Sequence, residues 1–233
     1  SVIDFDKDRS DRSTYKLLGG SIGFYGSTLN TRQYATKGYL EKLIAQVFTG
    51  RERFEPGNPQ EGYSPSPQER QSWLQISYMK EAYHTMGPKF TLGWMAEALY
   101  SSKNFSENYT ATMMQAGEFA PTPHSKLMYN EAFRANQYVA AGIKPIYVLN
   151  DMFQFRTEFY GFTPIFPIKK NALNKAYYGK AFSRFEYMGE VSVICHLPFG
   201  AISAYVNHYS SPRREWNVGM TIGWQLFNYR FVE

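Results

Sequence analysis

Residues 89–101 of this chain read KFTLGWMAEALYS, and this stretch decides the fold class. Apolar or small side chains occupy every second position, and most positions between them carry Thr, Gly, Met, Glu or Ser. A period of two indicates a β-strand, because successive side chains of a strand point to opposite faces of a sheet. Strands of soluble proteins usually have about 5–6 residues, whereas membrane-spanning strands need about 9–11. The alternation here covers residues 90–101, and its apolar face consists of Phe90, Leu92, Trp94, Ala96, Ala98 and Tyr100.

The same alternation recurs along the chain and predicts about ten long strands. Near the carboxy terminus, the apolar face of one such strand includes Met220, Ile222 and Trp224. The predicted spans are 15–27, 38–54, 70–86, 88–103, 108–119, 136–149, 152–164, 182–197, 200–210 and 216–231.

The connections between these strands differ in length. Tight ones such as LNDM at 149–152 alternate with long polar ones such as residues 55–71. Short turns at one end and long loops at the other are typical of up-and-down barrels in outer membranes. We therefore predict an all-β fold, a single antiparallel transmembrane β-barrel domain over residues 1–233, with its apolar faces, including Phe90, Leu92, Trp94 and Ala96, toward lipid.

Composition excludes several other classes. The net charge is +5, but no run of like charges reaches five residues, so an arm that binds nucleic acid is not expected. A single cysteine, Cys195, excludes an intrachain disulfide. The four histidines show no H-x-x-H spacing, so neither a metal site nor a cofactor is predicted. No apolar run is long enough for a transmembrane helix.

One short motif suggests an enzyme instead. Residues 19–23 read GGSIG and fit G-x-S-x-G, the nucleophile elbow of serine hydrolases. That elbow needs a helix directly after the serine, and Gly23, Gly26 and Ser27 disfavour a helix there. We therefore predict that Ser21 belongs to an ordinary strand and that the chain has no catalytic residue. A lipid hydrolase built on Ser192 and His196, which share one strand face, stays an alternative.

Four stretches, taken in order, resemble one family. They are STLNTRQYATKGYLEKLIAQVF (27–48), PTPHSKLMYNEAFRANQYVAAGIKPIYVL (121–149), HLPFGAISAYVNHY (196–209) and MTIGWQLF (220–227). The first is similar to the D-T-R and P-T-x-G signature of BamA-like barrels, with Asn30 in place of Asp and Ala35 in place of Pro. The chain resembles most the carboxy-terminal barrel of Bacteroidetes patatin-like phospholipases.

This resemblance implies a sixteen-stranded barrel of which the chain is the later part. A patatin-type hydrolase and a small POTRA-type domain would precede it, in a bacterial outer membrane. The barrel would anchor, display or translocate that hydrolase. Its partners would be outer-membrane lipids, the upstream domain and the barrel-assembly machinery, with the oligomeric state left open. The alternative from another class is a soluble secreted barrel or sandwich that binds an apolar ligand, with its apolar faces turned inward.

The resemblance also places one arginine. Arg134 stands where the family has the arginine of its V-R-G-F loop motif, which folds back into the barrel and meets an acid of the wall. The family's acid would lie near position 162, where this chain has Phe162. Glu158 has the same strand parity and is therefore the predicted partner of Arg134, with Arg156 as a competitor.

Overall fold

A computed structural model describes residues 11–57, 70–198, 200–211 and 216–224 of the chain. Its long strands are β1 (Arg12–Ser27), β2 (Gly38–Glu55), β3 (Arg70–Thr85) and β4 (Phe90–Ser101), and after helix α1 (Tyr109–Gln115) come the short strands β5 (Gly117–Glu118) and β6 (Arg134–Ala135). Then follow β7 (Gln137–Val148), β8 (Phe153–Pro164), β9 (Ile168–Lys170), β10 (Ala176–Tyr178), β11 (Glu186–Leu197), β12 (Gly200–Tyr209) and β13 (Trp216–Trp224). Short 3-10 turns cover Ser125–Leu127 and Glu131–Phe133.

Nine of these strands form one antiparallel sheet in the order β1-β2-β3-β4-β7-β8-β11-β12-β13. Each strand pairs with the next long strand of the chain, so the predicted all-β, up-and-down arrangement is confirmed. Tight turns at 86–89 and 149–152 lie at one end of the sheet, where β11 also ends at Leu197 and β12 begins at Gly200, together with the segment 28–37. We call this the turn end and the opposite one the loop end. Among the described residues no ladder joins β1 to β13, so both are edges of an open sheet.

The predicted strand at 108–119 is wrong. Residues 109–115 form α1, because the Asn108 side chain caps the helix and accepts a hydrogen bond from the Ala111 amide at 2.7 Å. Met113 then packs with Ala116 and Ile168 in a small buried cluster. Residues 168–178 form the hairpin of β9 and β10.

The two faces of the main sheet differ in burial. In β4, Thr91, Met95 and Leu99 are buried, while Phe90 and Tyr100 on the other face are exposed. The same alternation continues through β7, β8, β11 and β12. We call these two sides the buried face and the exposed face.

Two segments cover the buried face. Residues 102–136 fold back over it, and Phe119 and Phe133, both 1% exposed, pack among side chains of five strands. The strand residues in that cluster are Met95, Leu99, Tyr138, Ala140, Tyr160, Phe162, Met188 and Tyr209. At the turn end, Ala35 of the segment 28–37 packs against Tyr83 and Ile146. The core therefore lies between one sheet and its own loops.

Candidate functional site

The exposed face of the sheet consists largely of apolar, uncharged side chains. On β4, β7, β8, β11, β12 and β13 its described residues include no Asp, Glu, Lys or Arg. Ile143 and Phe159, which are cross-strand neighbours near its centre, are 51% and 55% exposed. Contiguous exposed apolar surface of this extent marks contact with a membrane or with another protein. We call this surface, together with the uncharged middle of the exposed face of β2 and β3, the apolar belt.

Charged residues on β2 and β3 mark the two limits of the belt. On the exposed face of β2, Glu41 lies toward the turn end and Arg51 toward the loop end, and only Leu43, Ala45, Val47 and Thr49 lie between them. On β3 the limits are Lys80 and Arg70. Ten residues span about 33 Å along a strand, which a tilt of about 40° reduces to about 25 Å. That height matches the apolar band of outer-membrane barrels.

The residues predicted to meet lipid all belong to exposed-face positions of β4 and β13. Phe90 is exposed, and Leu92, Trp94 and Ala96 are half-buried on the same face. Met220 and Ile222 are 66% and 61% exposed. The backbone of Trp224 pairs with Gly200, and its side chain lies outside the described part of the chain. Their contact with lipid stays a prediction.

This burial pattern runs against the soluble-barrel alternative. That alternative requires the apolar side of each alternating strand to point inward and the polar side to water. Instead, Arg156 and Glu158 of β8 are buried, while Phe155 and Phe159 of the same strand are exposed. On β8 the apolar side is therefore the exposed one, opposite to what this alternative expects.

Buried charges on the inner side of the sheet are compensated by close partners. Arg156 Nε donates to Glu158 Oε1 at 2.6 Å, and the Tyr160 hydroxyl donates to Glu158 Oε2. Arg156 also donates from Nη1 to the Ala35 carbonyl oxygen at 3.0 Å and from Nη2 to the Tyr83 hydroxyl at 2.8 Å. Through these hydrogen bonds the Arg156 guanidinium connects the segment 28–37 to the sheet.

A second buried pair lies beside the first. Lys144 Nζ of β7 is 2.9 Å from Glu81 Oε1 of β3, with side chains 6% and 16% exposed. The Tyr83 hydroxyl also donates to Glu81. Sequence analysis missed both residues, although a signal was present: Lys144 and Glu81 are the charged residues on the polar faces of their alternating strands.

The predicted pair of Arg134 and Glu158 is wrong. Arg134 Nη2 donates to Glu118 Oε2 at 2.6 Å, because β6 pairs with β5 and sets Glu118 directly opposite Arg134. Glu158 is held by its neighbour Arg156, two residues away on the same strand. The remaining contacts of Arg134 bind the end of α1, where Nη1 donates to the carbonyl oxygens of Met113, Met114 and Ala116.

The same segment contacts the sheet through a histidine. His124 Nδ1 lies 2.8 Å from the Tyr209 hydroxyl, and its ring packs against those of Tyr205 and Tyr209. Burial lowers the pKa of His124 below its ordinary value, because the charged imidazolium loses water there.

The candidate nucleophiles lie in continuous strands. Ser21 is exposed in the middle of β1, which continues to Ser27, so no strand-to-helix turn follows it. Ser192 and His196 share the buried side of β11 but are four residues apart, about 13 Å at the usual rise. That distance is too long for a nucleophile and its base.

Two kinds of feature are absent from the part of the chain that the structure describes. No group of three or more His, Cys, Asp or Glu side chains is placed to hold a metal ion. No helix in that part of the chain is long and apolar enough to span a bilayer. Comparison with family models, curated proteins and solved structures returned no match to this chain.

Proposed function

We propose that this chain forms part of the wall of a β-barrel in a bacterial outer membrane, with the apolar belt against lipid. The observation that carries the proposal is the charge-free exposed face of β4 through β13, with charged residues at both limits of the belt on β2 and β3. A charged side chain at the bilayer midplane costs about 2–4 kcal/mol in such barrels and little at the interfaces. The distribution of charges on this sheet follows that depth dependence.

The covered inner side favours an anchoring role over an open pore. Phe119 and Phe133 are almost fully buried against five strands, and Ala35 is held at the turn end by Arg156. Residues 28–37 and 102–136 therefore occupy the space that a wide water-filled channel would need. A barrel wall with a packed interior is suited to hold a neighbouring domain at the membrane.

The resemblance to patatin-like phospholipases supplies the candidate for that domain. On this proposal the barrel anchors or displays an upstream lipid hydrolase, and outer-membrane lipids and the barrel-assembly machinery are its partners. Among the described strands, β1 has no partner on its outer side, and further strands would complete the ladder there. Closure would remove both edges, as in other membrane barrels.

Site-specific labelling of the full chain in liposomes tests the lipid contact. In a Cys195→Ala background, Ile143→Cys places a thiol in the belt and Leu173→Cys places one in the connection between β9 and β10, where Leu173 is 79% exposed. A water-soluble maleimide should label position 173 readily and position 143 hardly at all. Equal labelling at both positions, in protein that floats with the liposomes, would contradict the proposal.

A further inference from the structure

A cleft of about 540 Å³ opens at the turn-end limit of the apolar belt. From its chemistry we infer that it binds the headgroup of an aminophospholipid, a zwitterion with a primary ammonium and a phosphate. This inference rests on the proposed membrane location and adds a specific lipid to it. The cleft is lined by Tyr39, Glu41, Lys80, Ala82, His84 and Trp94, among others.

One acid and one base face each other in the cleft. Glu41 and Lys80 are cross-strand neighbours, and Lys80 Nζ lies 3.8 Å from Glu41 Oε2. That separation is too long for a direct hydrogen bond, whose N–O distance is about 2.7–3.2 Å. The ammonium has three donors and the carboxylate about four acceptor positions. Among the described residues, Tyr78 fills one of those positions by donating to Glu41 Oε1 at 2.6 Å.

The pair matches the charges of a zwitterionic headgroup. The lipid phosphate would accept from Lys80, and the lipid ammonium would donate to Glu41. Trp94 forms one wall, and its Nε1 donates to His84 Nε2 at 3.4 Å. An indole at this depth suits the interface, where its apolar ring and polar N–H are both accommodated.

The belt beside the cleft offers a path for the acyl chains. Leu43 follows Glu41 on the exposed face of β2 in the direction of the loop end, and Ile76 lies beyond Tyr78 on the same face of β3; they are 43% and 38% exposed. A lipid with its headgroup between the charged pair would lay its chains along these side chains. The headgroup would then sit at the bilayer surface and the chains within it.

The primary ammonium group distinguishes the proposed ligand from other phospholipids. A choline headgroup carries no N–H and gives Glu41 no hydrogen bond. A glycerol headgroup carries no cation, so its phosphate would face Glu41 without compensation. Preference for ethanolamine over choline headgroups therefore reports on Glu41, whereas Lys80 contributes to both through the phosphate.

Native mass spectrometry of the full chain measures this preference. Phosphatidylethanolamine, phosphatidylcholine and phosphatidylglycerol with identical acyl chains are titrated onto the folded protein. We expect phosphatidylethanolamine to bind about fivefold more tightly than phosphatidylcholine, the ratio given by an interfacial ion pair worth about 1 kcal/mol. Glu41→Gln should abolish that ratio, and Lys80→Gln should weaken both lipids.

Glu55→Gln is the matched control. Glu55 lies at the far end of the same strand and pairs with Arg53 at 2.8 Å, so its removal should leave the lipid ratio unchanged. Each variant is first checked for heat-modifiable gel mobility, and Glu41→Asp should restore part of the ratio if Glu41→Gln folds poorly. Equal affinity for the two lipids in wild type, or an unchanged ratio in Glu41→Gln, would overturn the inference. Failure of the membrane location would appear differently, as a protein that neither floats with liposomes nor retains any lipid.

Discussion

Arg156 Nη2 of β8 donates a hydrogen bond to the Tyr83 hydroxyl of β3 at 2.8 Å, although β4 and β7 lie between these two strands. Three inter-strand spacings amount to about 14 Å in a flat sheet. The sheet therefore curls toward its buried face, and side chains from non-adjacent strands meet there. Besides Tyr83, Arg156 also donates to Glu158 of its own strand and to the Ala35 carbonyl oxygen of the covering segment 28–37.

The first prediction concerns the buried pair of Arg156 and Glu158. Loss of one partner leaves the other buried and uncompensated, so Arg156→Ala or Glu158→Gln should each lower the free energy of unfolding by about 3–5 kcal/mol. The double variant should cost far less than the sum of the two. Urea titration of the protein in liposomes measures all three values. Arg53→Ala, which removes an exposed pair with Glu55, should cost about 0–1 kcal/mol. Additive effects of the two buried substitutions would contradict the pairing.

The second prediction separates the two arginines. Because Arg134 pairs with Glu118, Arg134→Ala and Glu118→Gln should each destabilise by about 1–3 kcal/mol and should not add. Arg134→Ala and Glu158→Gln should add, since they belong to different networks. The same urea titrations give both couplings. A coupling energy confined to Arg134 and Glu158 would restore the pair that the sequence suggested.

The third prediction compares two neighbouring positions near the middle of the belt on β2. Ala45 lies on the exposed face, and Gln46 lies on the opposite face and accepts a hydrogen bond from Gln75 at 3.3 Å. Ala45→Arg should cost about 2–4 kcal/mol in liposomes, while Gln46→Arg should cost about 1 kcal/mol or less. Equal costs at positions 45 and 46 would speak against lipid contact.

The fourth prediction concerns space on the buried face. A Cβ at Gly142 would lie 2.2 Å from Tyr160 Cδ1 and 2.7 Å from the Phe159 carbonyl oxygen. Gly142→Ala should therefore lower the free energy of unfolding by about 1–3 kcal/mol, because it displaces the ring of Tyr160, whose hydroxyl donates a hydrogen bond to Glu158. Gly20 of β1 has no atom within 4 Å of such a Cβ, and Gly20→Ala should change stability by less than about 0.5 kcal/mol. Equal tolerance of both substitutions would show that Tyr160 is not tightly packed.

The fifth prediction is a pH dependence at His124. Its folded-state pKa lies below the unfolded value of about 6.5, so the unfolded chain takes up the proton first as pH falls. The stability contributed by neutral His124 is complete above that value and is lost as pH falls through the folded-state pKa. Urea midpoints at about pH 7.5 and pH 5 should therefore differ more in wild type than in His124→Gln. The same difference in both proteins would exclude His124 as the cause.

The sequence by itself determined the strands and their faces. Alternation is a local property with a period of two, so residues 90–101 show both that β4 is a strand and which side chains share a side. Nine of the ten predicted spans correspond to strands of the main sheet. The exception is 108–119, where residues 109–115 are helical because one capping side chain and the packing of Met113 outweigh a weak alternation.

Only the tertiary structure decided which face is covered and which charges meet. The alternating pattern is the same whether the apolar side points inward or outward. In this sheet the segments 28–37 and 102–136 cover the side that carries Arg156 and Glu158. Parity placed Glu158 on the correct side and named Arg156 as a competing partner, but it could not decide between Arg156 and Arg134; the structure shows Arg156. A charged group pairs with whichever opposite charge the fold brings within hydrogen-bonding distance. For Arg134 that charge is Glu118, which lies opposite it in the two-residue ladder of β5 and β6. The loop sequence has no periodic pattern from which this pairing could be predicted.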